Sequence, residues 1–244
     1  MARVYFTIPS ARPAAEAAGT FLEWKRRGYG LAIWRDANDE LTKLIEASSG
    51  AEDSKTPLLL LVGKYPGYAL AVNALMQQVF SHDPECNWCV AGGDDTHPDK
   101  TTHPDMIALQ LESHFGGTYG VMQPTGDRWA DGSIDRIAGS PWVGREWARR
   151  AHRGTGPFFY RFQHMAVDEG LLWVAEREGR YLRRQDLTHH HNHWGRTQRG
   201  GVTYDQRLVP PHLKWANTPE HWIESRKIIH QLKREYDQMW SPIP

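Results

Sequence analysis

Two adjacent carboxylates, Asp94 and Asp95, stand behind a pair of glycines in the stretch Gly92-Gly93-Asp94-Asp95-Thr96-His97-Pro98-Asp99. Side by side they repel, and neither is easily buried alone. A hard divalent cation shared with phosphate oxygens relieves that repulsion, because Mg2+ and Mn2+ prefer carboxylate ligands. A solvated acidic turn would use the same residues; the strand-like run just ahead, at 88–91, favours the metal. A second acidic pair, Asp168-Glu169, opens an apolar helical pattern. The helix dipole keeps a carboxylate there ionised, able to take a proton from a hydroxyl. Alone, Asp168 reads as an ordinary first-turn acid. A histidine cluster, His189-His190-His191-Asn192-His193, follows another strand-like run. Imidazole suits Mn2+ and similar ions, and His191 and His193 share a face if the segment is extended. A His-rich surface loop is the competing reading, and spacing does not say which histidine would bind.

The elements that must position these groups alternate. Residues 4–9 form a β-branched and aromatic run closed by Pro9, hence a strand. Pro13 suits the first turn of a helix over 13–27, with Gly28 as its stop. Strands are expected at 29–34, 57–62 and 88–91, with helices at 39–47 and 68–80 between them. Strand and helix in alternation predict an α/β fold, a mostly parallel sheet with helices on both faces. Ligands of such sheets sit outside the carboxyl ends of the strands. Pro9-Ser10, Asp36, Gly63-Lys64 and Asp94-Asp95 all fall at such ends. Further along, a strand is expected at 119–123, a helix or helical turn at 141–152, a helix at 168–178 and a strand at 181–187. Thr218-Pro219-Glu220 starts a last helix whose stripe of Trp222, Ile229, Leu232, Tyr236 and Met239 packs on the domain.

In this order the segments resemble the GT-A glycosyltransferases, especially their large inverting, family-two-like group, over residues 4–194. That family's acidic strand end, the DXD motif, typically has three acids followed, two residues on, by proline. Here the match is Gly93-Asp94-Asp95-Thr96-His97-Pro98, with Gly93 in place of the first acid. The resemblance implies a GT-A type Rossmann-like sheet and a metal-dependent enzyme using Mn2+ or Mg2+. It implies Asp95 as metal ligand, joined by a late histidine, His191 or His193, with Asp94 near the ribose or metal. It implies a nucleotide-sugar donor, a UDP-sugar being favoured, held by Pro9, Ser10, Arg12 and the base-reading Asp36. Gly67 to Asn73 resembles the family's glycine-to-asparagine helix, but Val72 replaces its arginine, so Lys64 would serve the diphosphate. Gly139-Ser140-Pro141-Trp142-Val143-Gly144-Arg145 resembles the segment lining the sugar and acceptor, placing Arg145 in the donor site. Asp168 would be the catalytic base of an inverting transfer, with Glu169 as second choice. The acceptor hydroxyl could belong to a glycan, a protein or a hydroxylated DNA base. Residues 1–195 would be the catalytic domain and 196–244 an extension ending in the amphipathic helix.

Composition excludes some alternatives. The chain has 244 residues, with Lys plus Arg equal to Asp plus Glu at 29 each, so no global basic field draws in nucleic acid. A local cluster, Arg145, Arg149, Arg150 and Arg153 beside Trp142 and Trp147, could steer a DNA backbone or be a solvated helix face. No run approaches the roughly 18–20 apolar residues of a membrane span. The start of the chain lacks a signal-peptide plan, which makes a cytoplasmic location the expectation. The only two cysteines, Cys86 and Cys89, lack a second pair to complete a thiolate cage and read as reduced thiols on a buried strand. Two rival functions stand beside the transferase. His97-Pro98-Asp99 and His103-Pro104-Asp105, with a distal His and Arg196, can be read as the facial triad of a non-haem iron, 2-oxoglutarate oxygenase. A Trp-rich, non-catalytic carbohydrate-binding module is the other.

Overall fold

The computed structural model describes residues 3–36, 40–47, 57–125, 139–192, 207 and 209–240. The first half follows the expected alternation: β1 (Arg3–Pro9), α1 (Ala14–Arg26), β2 (Gly30–Arg35), α2 (Leu41–Ala47), β3 (Leu58–Val62), α3 (Tyr68–His82) and β4 (Cys86–Ala91). A two-residue strand β5 (Thr96–His97) leads into α4 (Pro104–Phe115), and then come β6 (Val121–Thr125), β7 (Trp142–Gly144) and α5 (Arg145–Gly154). The chain closes with α6 (Val167–Arg177), β8 (Tyr181–Thr188), β9 (His190–His191) and α7 (Pro219–Trp240).

Seven strands form one sheet in the order β3-β2-β1-β4-β7-β6-β8. Every pairing is parallel except the two made by β7, which runs antiparallel to both β4 and β6. Parallel strands covered on both faces must be apolar throughout, and in β1 Val4, Tyr5, Phe6, Thr7 and Ile8 are all buried. Val4, Phe6 and Ile8 face a core with Phe21 and Trp24 of α1, Ile45 of α2 and Leu111 of α4. The opposite face packs Val72 and Met76 of α3, Trp147 of α5, Leu171 of α6 and Leu232 of α7. The last helix is thus part of the same core, as its stripe predicts. Trp24 lies flat on Phe6, ring centroids 4.0 Å apart, and this stack ties α1 to the central strand.

Two elements depart from expectation. α4 lies where the His-Pro-Asp repeats suggested ligands. Pro104 takes its first turn, His103 accepts from Asp105 N, and Gly116 at φ 68° ends it. Residues 141–152 are not one helix. Trp142 and Val143 sit wholly buried as a strand wedged between β4 and β6, so tertiary pairing overrides a local pattern too short to settle. Among the described residues no helix is long and apolar enough to cross a membrane.

Candidate active site

Parallel register brings the carboxyl ends of β1, β2, β3 and β4 to one edge: Pro9 lies beside Trp34, Arg35 beside Val62, and Thr7 beside Ala91. Pro9 ends its strand there because it has no N–H to continue the ladder. The chain then turns through Ser10 to Arg12, held by the buried Arg35, which donates from one nitrogen to Ser10 O (2.9 Å), Ser10 Oγ (3.1 Å) and Arg12 O (2.8 Å). So anchored, Ser10 Oγ donates to Asp94 Oδ2 at 2.7 Å, and Arg12 grips both acids, Nε to Asp94 Oδ1 at 2.6 Å and a terminal nitrogen to Asp95 Oδ2 at 3.3 Å. Burial works against the Arg12 charge, but Asp94 and Asp95 outweigh it and raise its pKa.

Beyond the acidic pair, Thr96 and His97 form β5, which pairs antiparallel with β9 so that Thr96 faces His191. Trp24 Nε1 donates to Thr96 O at 2.7 Å, and Asn192 N donates to Asp95 O at 2.8 Å. The result is that His191 Nε2 stands 3.1 Å from Asp95 Oδ1. The neighbouring histidines have other work. His189 is buried between Ser140 Oγ, 2.7 Å from its Nδ1, and the Trp142 indole N–H, 3.4 Å from its Nε2. Burial drops its pKa to about 3, with Asp99 opposing weakly, so it is neutral. His190 stacks obliquely near His97, and His193 lies outside the described residues. Gly93 is where the resembled motif has its first acid. A Cβ at this position would fall inside contact distance of Asp95 Oδ1, so glycine is what lets the Asp95 carboxylate turn back towards His191.

Asp36, at the end of β2, accepts from Tyr65 N at 2.8 Å and so fastens the β2 end to the loop after β3; Lys64 beside it is exposed. Asp168 sits in the first turn of α6, where Ala166 at φ 61° reverses the chain just before it. Burial above all, with smaller contributions from Tyr65, Asp168 and Asp95, pushes the Tyr68 phenol well above its usual pKa. Tyr68 therefore stays protonated, and its hydroxyl donates to Gly92 O at 3.1 Å. Tyr68 thus ties α3 to the acidic loop.

Three expected site residues are placed elsewhere. Asn73 is buried, donating to Thr155 O (3.1 Å) and Phe158 O (2.8 Å) and accepting from Phe158 N (3.1 Å), so it fastens the 155–158 loop. Arg145 donates to Phe80 O, Asp83 O and Cys86 O, at the amino end of β4. That is the far end of a six-residue strand, roughly 16 Å from the acidic loop at ~3.3 Å per residue. Glu169 pairs through both oxygens with Arg226 of α7, at 2.5 and 3.0 Å, while Asp168 Oδ1 accepts from Glu169 N at 2.9 Å.

The oxygenase triad dissolves in the same way. His97 Nδ1 meets Glu23 at 2.6 Å, and Asp99 accepts from Thr101, Thr102 and Thr188. Burial raises the Asp99 pKa, but those hydrogen bonds overcome it and hold the group below its ordinary value. Nor does the basic cluster offer a stacking surface for nucleic acid, since Trp142 and Trp147 are wholly buried while Arg149 and Arg150 pair with Glu146. Cys86 and Cys89 are free, buried thiols, their sulfurs 4.0 Å apart.

One group had no signal in the sequence. His164, from the irregular loop ahead of α6, lies within electrostatic reach of Asp95, His212 and His221, and burial lowers its pKa to about 4. Its ring contacts Tyr68 and Trp215, at 6.3 and 6.0 Å between centroids, and Trp215 in turn contacts Tyr65 and His221. A lone histidine among loop residues carries no periodicity, so only folding reveals it. Among the described residues no group of three or more His, Cys, Asp or Glu side chains could hold a metal by itself. Asp95 and His191 nevertheless fit a cation of the Mn2+ type, which is commonly held by one or two protein carboxylates together with substrate phosphates.

A seven-stranded, mostly parallel sheet with one antiparallel strand, flanked by helices and with its acidic loop at the strand ends, defines the GT-A glycosyltransferase fold. Among solved structures it is similar to the mannosyltransferase PcManGT from Pyrobaculum calidifontis in complex with GDP-Man and Mn2+, at TM-score 0.57 and 14% identity over 99% of this chain and 76% of that one. It is also matched to the catalytic domain of Drosophila beta1,4-galactosyltransferase 7 in complex with xylobiose, at TM-score 0.47 and 14% identity over 79% and 71% of the two chains. A glycosyltransferase involved in glycosylation of the major capsid of PBCV-1 matches at TM-score 0.41 and 12% identity, over 75% and 82%. No family model and no curated protein matches the sequence.

Proposed function

We propose that the chain is a metal-dependent glycosyltransferase that moves a sugar from a nucleotide-sugar to an acceptor hydroxyl with inversion. The observation that carries this reading is the convergence of Asp95 and His191 at the sheet's carboxyl edge. The solved mannosyltransferase of the same fold, described with GDP-Man and Mn2+, supports a divalent ion and a nucleotide-sugar donor here.

In this mechanism Pro9, Ser10, Arg12 and Asp36 would line the nucleoside site, and Asp95 with His191, aided by Asp94, would hold the cation. When bound, the cation supplies Lewis-acid stabilisation of the leaving diphosphate. Asp168 accepts the proton of the acceptor hydroxyl as that oxygen bonds to the anomeric carbon and the carbon–phosphate-oxygen bond breaks. His164, in ring contact with Trp215, would wall the site, so that the segment at 209–240 would add to the one built by the catalytic domain at 1–195. Lys64, exposed just beyond β3, would serve the diphosphate. The free thiols accord with a cytoplasmic setting.

A thermal-shift panel of UDP- and GDP-sugars with and without Mn2+, followed by a donor-hydrolysis assay, tests the proposal. A metal-dependent shift with slow hydrolysis is expected. No shift and no hydrolysis with any nucleotide-sugar would overturn it, while sugar binding with no hydrolysis would favour the carbohydrate-binding module.

A further inference from the structure

Arg12 occupies the same carboxylates that a cation would use. It approaches Asp94 at 2.6 Å and Asp95 at 3.3 Å, while His191 takes the other Asp95 oxygen. Both acids are largely buried, with side chains 12% and 13% exposed, so they need a positive partner whatever the metal concentration. The Arg12 backbone is pinned by Arg35 through its carbonyl, while its side chain, 25% exposed, ends on the two acids at the carboxyl end of the sheet. The backbone anchor thus does not depend on where the guanidinium points.

We propose that Arg12 is a positioning residue that couples metal and donor binding, acting as counter-ion to Asp94 and Asp95 and passing to the donor's diphosphate when a divalent cation takes those carboxylates. This rests on the donor-site reading above and goes further by giving Arg12 two partners in succession. A guanidinium pairs as well with phosphate as with carboxylate, by parallel N–H donors. Cation alone must displace Arg12 with no compensation. Cation with a nucleoside diphosphate displaces it onto a new anion, so each ligand favours the other, by an equal factor in both directions. The arrangement also disfavours binding of a divalent ion ahead of the donor.

The test is Mn2+ binding, followed by the free-ion electron paramagnetic resonance signal, with and without UDP or GDP, in the intact wild-type chain, Arg12→Ala and Arg12→Lys. In the wild type, Mn2+ alone binds weakly and the nucleotide tightens it. Arg12→Ala should bind Mn2+ alone about tenfold more tightly, the factor given by one lost competitor worth ~1.4 kcal/mol, and should lose most of the nucleotide's tightening. Arg12→Lys should keep weak binding of Mn2+ alone, because its charge remains, and regain only part of the tightening. If Arg12→Ala does not fold, Arg12→Gln carries the same expectation. Unchanged or weaker Mn2+ binding in the neutral variants, against normal wild-type binding, would overturn the role of Arg12 and leave the transferase reading intact. A wild type that binds no Mn2+ with either nucleotide would overturn both.

Discussion

His191 Nε2 lies 3.1 Å from Asp95 Oδ1, although the two residues belong to distant parts of the chain. The contact exists because β5 and β9, two residues each, pair with Thr96 opposite His191 and are locked by Asn192 N on Asp95 O. Neither strand is long enough to persist on its own, so the pair depends on the cores beneath it.

If this pair holds the cation, Asp95→Asn and His191→Ala should each weaken Mn2+ binding in the presence of a nucleoside diphosphate by about tenfold or more, as lost metal contacts do. The melting temperature without metal should change little for His191→Ala. Isothermal titration and thermal shift measure both. Wild-type metal affinity in either variant would remove that residue from the ligand set.

Asp168 and Glu169 are adjacent, yet Glu169 is held by Arg226 while Asp168 lies within electrostatic reach of Tyr68. Asp168→Asn should cut transfer by roughly 10²–10⁴-fold, the usual worth of a general base, with donor affinity nearly unchanged. Glu169→Gln should keep transfer and cost at most ~1 kcal/mol of stability, since its pair with Arg226 is partly exposed. Full transfer by Asp168→Asn would reassign the base.

Gly93→Ala is expected to keep the fold but push the Asp95 carboxylate off His191, because its Cβ would meet Asp95 Oδ1 and not backbone. The Mn2+ response should fall by about tenfold, on the scale of lost metal contacts, while circular dichroism is unchanged. Retained metal affinity would show that the loop has another way to place Asp95.

His189 sets a pH dependence whose sign follows from its depressed pKa. The folded chain holds it neutral down to about pH 3, whereas an unfolded histidine takes its proton near pH ~6.5. Between those values the unfolded state binds the extra proton, so the contribution is complete above the upper value and is lost as pH falls. The loss runs at up to ~1.4 kcal/mol per pH unit. Urea unfolding at pH 7, 6 and 5 should show a smaller decline in His189→Gln than in the wild type. His164, neutral for the same reason, contributes to the decline that remains.

What the sequence determined by itself is what local periodicity and strand ends encode. The first four strands, β6 and β8, helices α1, α2, α3, α6 and α7, and the place of Asp94 and Asp95 beyond a strand follow from apolar spacing, proline and glycine stops. The convergence of Ser10, Arg12 and the acidic loop follows in turn, since parallel strands must deliver their carboxyl ends to one edge. Only tertiary structure decided the rest. Arg145 is carried to the wrong end of the sheet because β7 runs antiparallel, a reversal that three residues cannot signal. Asn73 faces inward because the 155–158 loop needs its amide. Asp168 and Glu169 carry the same charge one position apart, and it is the docking of α7, bringing Arg226, that separates them. Among the histidines, a buried pocket claims His189 and a strand pair presents His191. Residue type named the candidates for the metal, but which of them meets Asp95 is a matter of long-range register, which no short window of sequence contains.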